Sequence, residues 1–138
     1  GEGELFEGSK ARAIAEGLPV TFLGWRKDID DLFAASDIAI LTSDNEGIPL
    51  TLIQAAFAGI PIVATKVGSI ADIVVDGESG FLTAPQAGAM ASALSALVTD
   101  EDLRFELGSL GKAHAQRYFS LEKSLADHST LYEVSQER

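Results

Sequence analysis

Short apolar runs that alternate with helix-compatible segments constrain the fold of this 138-residue chain more than any other feature. The runs occupy residues 20–23, 38–42, 62–64 and 80–83 and are rich in β-branched and aromatic side chains. Continuous apolar runs of this length are typical of strands buried on both faces of a sheet. Strands separated by helices pair in parallel, so the sequence predicts an α/β fold with a doubly wound, Rossmann-like parallel sheet of at least four strands.

The segments between these runs carry helix signals. Residues 5–16 predict a helix that ends at Gly17, and Asp28 can cap a second helix over residues 29–35. Pro49 suits the first position of a helix that extends to Ala58, because that position needs no N–H. A short helical turn is expected over residues 70–74.

In the C-terminal third of the chain, the sequence pattern predicts helices and no strands. Asp100 can cap one of them. Three apolar stripes at helical spacing mark them: Met90, Leu94 and Leu97; Leu103, Leu107 and Leu110; Leu121, Leu125 and Tyr132. His114 and His128 lie on or beside these stripes, and a packing role is the expected one for both.

Composition excludes several classes of protein. The formal net charge of −11 argues against a nucleic-acid binder, which needs a basic footprint. The absence of cysteine excludes disulfides and zinc–cysteine sites and fits a cytoplasmic location. No apolar run reaches the length of about 18 residues that spans a membrane. The length fits a single domain over residues 1–138.

The most informative motif is the stretch from Asn45 to Ala55, in which a loop with Glu46 and Gly47 leads into the helix start at Pro49. A helix start presents free backbone N–H groups and the positive end of the helix dipole, which together attract phosphate. The Glu46 carboxylate can accept hydrogen bonds from hydroxyl groups, and Gln54, two turns into the helix, can reach others. The Glu46 carboxylate, a helix start that can bind phosphate and the Gln54 amide follow one another along the chain. Together they suit a sugar attached to a nucleotide.

Loops that leave the carboxyl ends of parallel strands meet at one edge of a sheet, where such folds bind ligands. Three predicted loops leave such ends. They carry the segments Gly24-Trp25-Arg26, Asp44-Asn45-Glu46 and Lys66-Val67-Gly68. A tryptophan more often packs against other side chains than contacts a nucleotide base, so packing is the expected role of Trp25 and base contact is the alternative.

The residues Glu46-Gly47-Ile48-Pro49, followed by Gln54-Ala55-Ala56-Phe57-Ala58-Gly59-Ile60-Pro61-Ile62-Val63-Ala64-Thr65, are similar to a known family phrase. They resemble the C-terminal, donor-binding domain of retaining nucleotide-sugar glycosyltransferases of group 1 with the GT-B fold. The resemblance continues through Val67-Gly68, Asp76-Gly77 and Gly80-Phe81-Leu82 and covers nearly the whole chain.

The resemblance implies roles for individual residues. Glu46 would be the catalytic residue that holds donor-sugar hydroxyls, and Gln54 would contact the ribose. Backbone N–H groups from residues 47–51 would receive the diphosphate. The full set of predicted donor-binding residues is Gly24, Trp25, Arg26, Asn45, Gly47, Ile48, Pro49, Leu50, Thr51, Gln54, Lys66 and Gly68. No cofactor and no metal are expected in this fold.

Two departures from the family phrase qualify these roles. Gln54 stands where the family has a second Glu, so a charge-assisted bond to the ribose is lost. Ser69 stands where the family has a second Gly. Because Gly1-Glu2-Gly3 resembles a mid-enzyme phrase, the chain is expected to be a fragment that lacks the N-terminal acceptor-binding domain and is inactive alone.

Expected partners are therefore a nucleotide-diphosphate sugar and the missing acceptor domain, with peripheral membrane contact only through the parent enzyme, in polysaccharide biosynthesis. Two alternatives stay open. The chain is either a non-catalytic nucleotide-sugar-binding or protein-interaction module, which Gln54 favours, or half of a nucleotide-sugar epimerase or phosphorylase, which share the architecture.

Overall fold

The computed structural model describes residues 3–125, which divide into two compact units with the boundary between Leu32 and Phe33. The first unit contains helix α1, Phe6–Ala15, which ends as predicted beside Gly17, whose φ is +64°. A left-handed residue of this kind closes a helix, and glycine adopts it without strain. The Phe6 and Phe22 rings meet edge to face in this unit, with centroids 5.6 Å apart. Helix α2, Ile29–Ala34, spans the boundary.

The second unit is built on a parallel sheet. Its strands are β1, Ala39–Leu41, β2, Ile62–Thr65, and β3, Gly80–Thr83, and they lie in the order β1-β2-β3. In register, Val63 of β2 lies between Ile40 of β1 and Phe81 of β3. The parallel pairing predicted from the alternation of strands and helices is confirmed.

Helices connect and follow these strands. Helix α3, Leu50–Ala58, links β1 to β2, and the short helix α4, Ile70–Ile73, links β2 to β3. Helices α5, Ala87–Thr99, and α6, Glu101–Tyr118, come after β3. Asp100 caps α6 as predicted, because its carboxylate accepts a hydrogen bond from the Leu103 N–H at 2.9 Å.

The core has two parts, one on each face of the sheet. Ile62 and Ala64 project from β2 into a cluster with α3, α4 and α6, whereas Val63 projects into a second cluster with α5 and α6. This alternation is the two-residue period of a strand. Helices therefore cover both faces, and the predicted fold class, α/β with a parallel sheet, is confirmed.

The predicted strand over residues 20–23 is wrong. Val20 donates its N–H to the Leu18 carbonyl at 2.8 Å in a tight turn, and Val20 and Leu23 are 53% and 49% exposed. An apolar run becomes a strand only beside a partner, and none of residues 3–32 pairs with this one. The described residues consequently form three parallel strands, and the expectation of at least four is wrong for them.

Pro49 precedes α3 instead of occupying its first position. Its ψ of 94° is extended, because the proline ring fixes only φ, and Leu50 is the first helical residue. The predicted stripe on α6 is also shifted, since Leu107 is buried but Leu110 is 47% exposed. The small residue Gly108 lies on the buried side of α6 instead.

The predicted last helix is described only in part. Residues 121–125 are helical, but Leu121 and Leu125 are 72% and 59% exposed, so no buried stripe forms there. His128 and Tyr132 lie outside the described residues.

Candidate functional site

The loop from Ser43 to Pro49 connects β1 to α3 and leaves the carboxyl edge of the sheet, as predicted. Glu46 is half-buried in it. The Ser43 hydroxyl donates to the Glu46 Oε1 atom at 2.6 Å, which fixes one carboxylate oxygen and leaves the other without a partner among the described residues. The carboxylate is therefore oriented and still able to accept hydrogen bonds from a ligand.

A second loop, residues 66–69 between β2 and α4, holds the first in place. The Ser69 hydroxyl donates to the Gly47 carbonyl. Ser69 sits at the N-cap of α4 but makes no capping bond there, so its hydroxyl serves the neighbouring loop. One residue before this loop, the Thr65 hydroxyl donates to the Ser43 carbonyl at 2.5 Å.

Gly68 lets the two loops approach each other. A Cβ atom on this residue would lie 1.9 Å from the Glu46 carbonyl oxygen, and its φ of +53° is left-handed. Both constraints require glycine. The predicted residues Glu46, Gly47 and Gly68 are thus brought together, with Asn45 exposed beside them.

The start of α3 presents a row of unpaired donors. No hydrogen bond within residues 3–125 uses the N–H groups of Gly47, Ile48, Leu50 or Thr51, and no side chain caps the helix. Leu50 and Ile48 are 69% and 67% exposed, so water or a ligand reaches these groups. The first turn contains no acidic residue. Such a helix start favours an anion.

The charges around this helix start are few. Lys66 is exposed and forms no ion pair with any described residue, so its ammonium is available to an anion. Asp44 is likewise exposed and unpaired within the described part of the chain. The favourable field at the helix start is therefore local and acts against a net charge of −11.

Within the second unit, Gln54 takes no part in these loop contacts. Gln54 is exposed on α3 and contacts no described side chain by a hydrogen bond, while Leu52, Ala55 and Ala56 form the buried side of that helix. Gly24, Trp25 and Arg26 belong to the first unit.

Within the first unit, Arg26 is paired. Its guanidinium donates two hydrogen bonds to the Asp28 carboxylate, one of them from Nε to Oδ1 at 2.7 Å. These bonds hold the pKa of Asp28 below its ordinary value and raise the pKa of Arg26. The Lys27 ammonium lies 5.4 Å from the centroid of the Trp25 ring, a cation–π distance. The Asp28 carboxylate thus uses two of the five N–H groups of Arg26.

Sequence reasoning named Ser69 only as a departure from the family phrase and did not name Ser43. The Ser43 hydroxyl contacts Glu46 within one loop, whereas the Ser69 hydroxyl acts through a contact between two loops. Only their positions, just after β1 and just before α4, associated them with the predicted ligand edge.

Within residues 3–125, no three His, Asp or Glu side chains are placed to share a metal ion. No helix of this part of the chain has both the length and the apolar character needed to cross a bilayer.

Residues 1–100 match the family described as Glycosyl transferases group 1. The chain is 30% identical over 115 residues to N-acetyl-alpha-D-glucosaminyl L-malate synthase of Bacillus anthracis, a match that covers 82% of this chain and 30% of that protein. The chain thus spans less than a third of that relative's length.

Two solved structures are similar as well. HepE from Anabaena, solved in complex with UDP, superposes with a TM-score of 0.85 at 29% identity, covering 92% of this chain and 36% of that one. The C-terminal domain of LpcC, a group 1 glycosyl transferase family protein from Francisella tularensis, superposes with a TM-score of 0.72 at 25% identity, covering 83% and 62%.

Proposed function

Because the chain belongs to the glycosyl transferases group 1 family, we propose that it supplies the donor-binding half of an enzyme that transfers a hexose from a nucleotide diphosphate with retention. The observation that carries the proposal is the row of unpaired N–H groups at the start of α3, beside an oriented carboxylate. HepE, which was solved with UDP and with UDP-glucose, supports a nucleotide-sugar donor. Similarity of the stretch from Glu46 to Thr65 to retaining enzymes supports retention.

In this proposal each group has one task. The N–H groups from Gly47 to Thr51 bind the diphosphate and stabilise the charge that it gains as the leaving group. Lys66 adds a mobile positive charge. The free oxygen of the Glu46 carboxylate accepts hydrogen bonds from donor-sugar hydroxyls, and Gln54 contacts the ribose. For Gly24, Trp25 and Arg26, donor binding stays a prediction.

In this proposal, an acceptor-binding domain of the parent enzyme holds the acceptor. A cytoplasmic location remains a prediction. A donor-binding module without catalysis is the second candidate, because Gln54 replaces a carboxylate at the ribose position. Both functions require the donor site. Product analysis with the longer protein distinguishes them, since only the enzyme consumes the donor.

The proposed diphosphate-binding site at the start of α3 is tested by removing one N–H group without disturbing the helix. Leu50 is the first residue of α3, a position where proline is tolerated, and Pro49 before it is already extended. Leu50→Pro deletes the N–H, whereas Leu50→Ala keeps it and matches the loss of the exposed side chain.

UDP is titrated into both variants at one salt concentration and followed by NMR. A hydrogen bond to a charged group contributes about 1.5–3 kcal/mol, and 1.4 kcal/mol is tenfold in affinity, so we expect Leu50→Pro to bind UDP about tenfold more weakly. Leu50→Ala should stay within about twofold of the native chain. Equal affinities for the two variants would show that the phosphates bind elsewhere.

The sugar contact is tested separately with Glu46→Gln. This change keeps the shape of the side chain but removes the charge, so the native chain should gain affinity from UDP to UDP-glucose and the variant should not. UDP itself should bind both proteins equally. An unchanged preference for UDP-glucose in the variant would remove Glu46 from the sugar site.

A further inference from the structure

His114 on α6 makes a contact that the proposed function does not use. Its Nε2 atom lies 2.9 Å from the Asp72 carbonyl oxygen, near the end of α4. A carbonyl oxygen can only accept a hydrogen bond, so Nε2 carries the proton and donates it. Among the described residues no backbone N–H reaches this carbonyl, which is one of those that the end of a helix leaves unpaired. His114 therefore caps α4 from a different helix.

The imidazole ring of His114 is held in place on α6. Its centroid lies 4.7 Å from that of Tyr118, one turn further along the helix, and 6.2 Å from that of Phe119. The next residue, Ala115, is 1% exposed and belongs to the core cluster that α4 shares. The packing role predicted for His114 is thus confirmed, and the Nε2 atom gives this residue a second role.

Helix α4 connects this contact to the loop that contains Glu46. The Asp72 N–H donates to the Ser69 carbonyl at 3.0 Å, and the Ser69 hydroxyl donates to the Gly47 carbonyl. A helix of four residues has too few internal hydrogen bonds to be stable alone, so its position depends on what it contacts. Its apolar side is buried in the core, while its polar contacts are to Gly47 at its start and to His114 near its end.

The Gly47 carbonyl belongs to the same peptide group as the Ile48 N–H. That group is planar and trans, so its carbonyl and its N–H point in opposite directions. Because the Ser69 hydroxyl holds the carbonyl towards α4, it directs the Ile48 N–H away from α4. An accepted hydrogen bond also polarises the peptide group and makes its N–H a better donor. The direction and the strength of this N–H thus depend on where α4 places Ser69.

We propose that His114 is a positioning residue for the nucleotide: through α4 and Ser69 it sets the direction of the Ile48 N–H. This inference rests on the proposed function, because it takes the Ile48 N–H as one of the groups that bind the diphosphate. It extends the site to α6, a helix that supplies none of the proposed ligand contacts.

Two substitutions of His114 separate its hydrogen bond from its packing. His114→Gln keeps an N–H group at a similar reach to Nε2, whereas His114→Phe keeps a ring beside Tyr118 and loses the N–H. Arg104→Met is the matched control on the same helix. The Arg104 guanidinium donates to the Leu97 carbonyl at 2.6 Å, near the end of α5. The control therefore removes another contact between α6 and a helix end, outside the connection from α4 to Ser69.

UDP is titrated into the full chain and these variants at one salt concentration, and the Ile48 amide signal is followed by NMR. We expect His114→Phe to shift this signal before UDP is added and to weaken UDP binding about three- to fivefold. His114→Gln and Arg104→Met should leave the ligand-free signal in place and bind UDP within about twofold of the native chain.

Equal UDP affinities in His114→Phe and His114→Gln would show that the N–H group is not what matters, and would overturn the inference. A loss in Arg104→Met as large as that in His114→Phe would also overturn it, because general loosening of α6 would explain both. These outcomes leave the proposed function standing. No response of residues 47–51 to UDP in the native chain would overturn the proposed function as well.

The connection through Ser69 is tested by a double-mutant cycle. Ser69→Ala breaks the connection at the loop, so adding His114→Phe to it should change the UDP affinity by less than about 1.5-fold. A further loss as large as that of His114→Phe alone would mean that the two residues act independently, and would overturn the inference.

Discussion

Gly68 is the residue on which the candidate site depends most strictly. It combines a left-handed φ of +53° with a contact in which an added Cβ would lie 1.9 Å from the Glu46 carbonyl oxygen. Gly77 provides a natural comparison, since its φ is +77° but no atom lies within 4 Å of an added Cβ. Comparing the two glycines therefore separates the cost of a left-handed backbone from the cost of a close contact.

We predict that Gly68→Ala destabilises the chain more than Gly77→Ala. Each variant should lose about 1–2 kcal/mol for the left-handed backbone, and Gly68→Ala should lose about 1–3 kcal/mol more because the Glu46 loop must move. Urea unfolding of both variants measures the difference. Equal losses would show that the two loops do not approach as closely as described.

Ser69 offers a milder change at the same contact. Ser69→Ala removes the hydroxyl that donates to the Gly47 carbonyl, and Ser92→Ala removes a similar bond, to the Gly88 carbonyl, on α5. A net hydrogen bond contributes about 0.5–1.5 kcal/mol, so Ser69→Ala should weaken UDP binding about two- to tenfold. Ser92→Ala should bind UDP like the native chain. Identical UDP affinities in the two variants would separate Ser69 from the site.

At the scale of elements, the contact between α3 and α6 depends on another glycine. An added Cβ on Gly108 of α6 would lie 2.1 Å from the carbonyl oxygen of Gly59, just after α3. Gly111, one turn further along α6, is also buried, but its added Cβ would meet its nearest atom, the Ser79 carbonyl oxygen, at 3.4 Å. Helix α6 thus makes one tight contact, at Gly59, and one ordinary contact, at Ser79.

We predict opposite effects for these two positions. Gly108→Ala should destabilise the chain by about 1–3 kcal/mol, because α6 must move outward. Gly111→Ala should be neutral or stabilise the chain by up to about 1 kcal/mol, because alanine favours the helix. Thermal unfolding followed by circular dichroism measures both. Similar losses in the two variants would contradict the described packing of α6.

At the scale of the whole molecule, the two units differ in what they bury. All four residues of β2 are buried, whereas in α1 only Ala13 is. Local opening follows the density of buried contacts.

We predict that the amide hydrogens of β2 exchange more slowly than those of α1 by a factor of at least about a hundred. That factor corresponds to about 2.8 kcal/mol between the opening free energies, at 1.4 kcal/mol for each tenfold. Hydrogen exchange followed by NMR measures both sets in one sample. Comparable protection in α1 and β2 would mean that the first unit is as stable as the second.

Much of this architecture was predictable from local pattern. Glycine marks the end of α1 at Gly17, and a capping residue marks the start of α6 at Asp100. Apolar runs mark the three strands, residues 39–41, 62–65 and 80–83. The apolar run at residues 20–23 failed because a strand needs a partner, and a partner is not a local property. The predicted helix start after Glu46 and the family resemblance both indicated the Glu46 loop.

The remaining features depend on contacts between distant segments. The sequence pattern marks Met90 as a core residue, and nothing local shows that the same side chain lines a cleft. Ser69 is an ordinary loop residue until the two loops meet. The close contact at Gly108 depends on a carbonyl about fifty residues away along the chain. Spacing rules act over a few residues, so such pairs escape them.

The order of the strands also determines when the site can exist during folding. The Glu46 loop lies in the connection between β1 and β2, and the Gly68 loop lies in the connection between β2 and β3. The two loops can meet only after β1 has paired with β2. Closing residues 42–61 costs more chain entropy than closing residues 66–79, so we expect β1 to join last. The contact between the two loops therefore forms with the final pairing, and a partly folded chain lacks it.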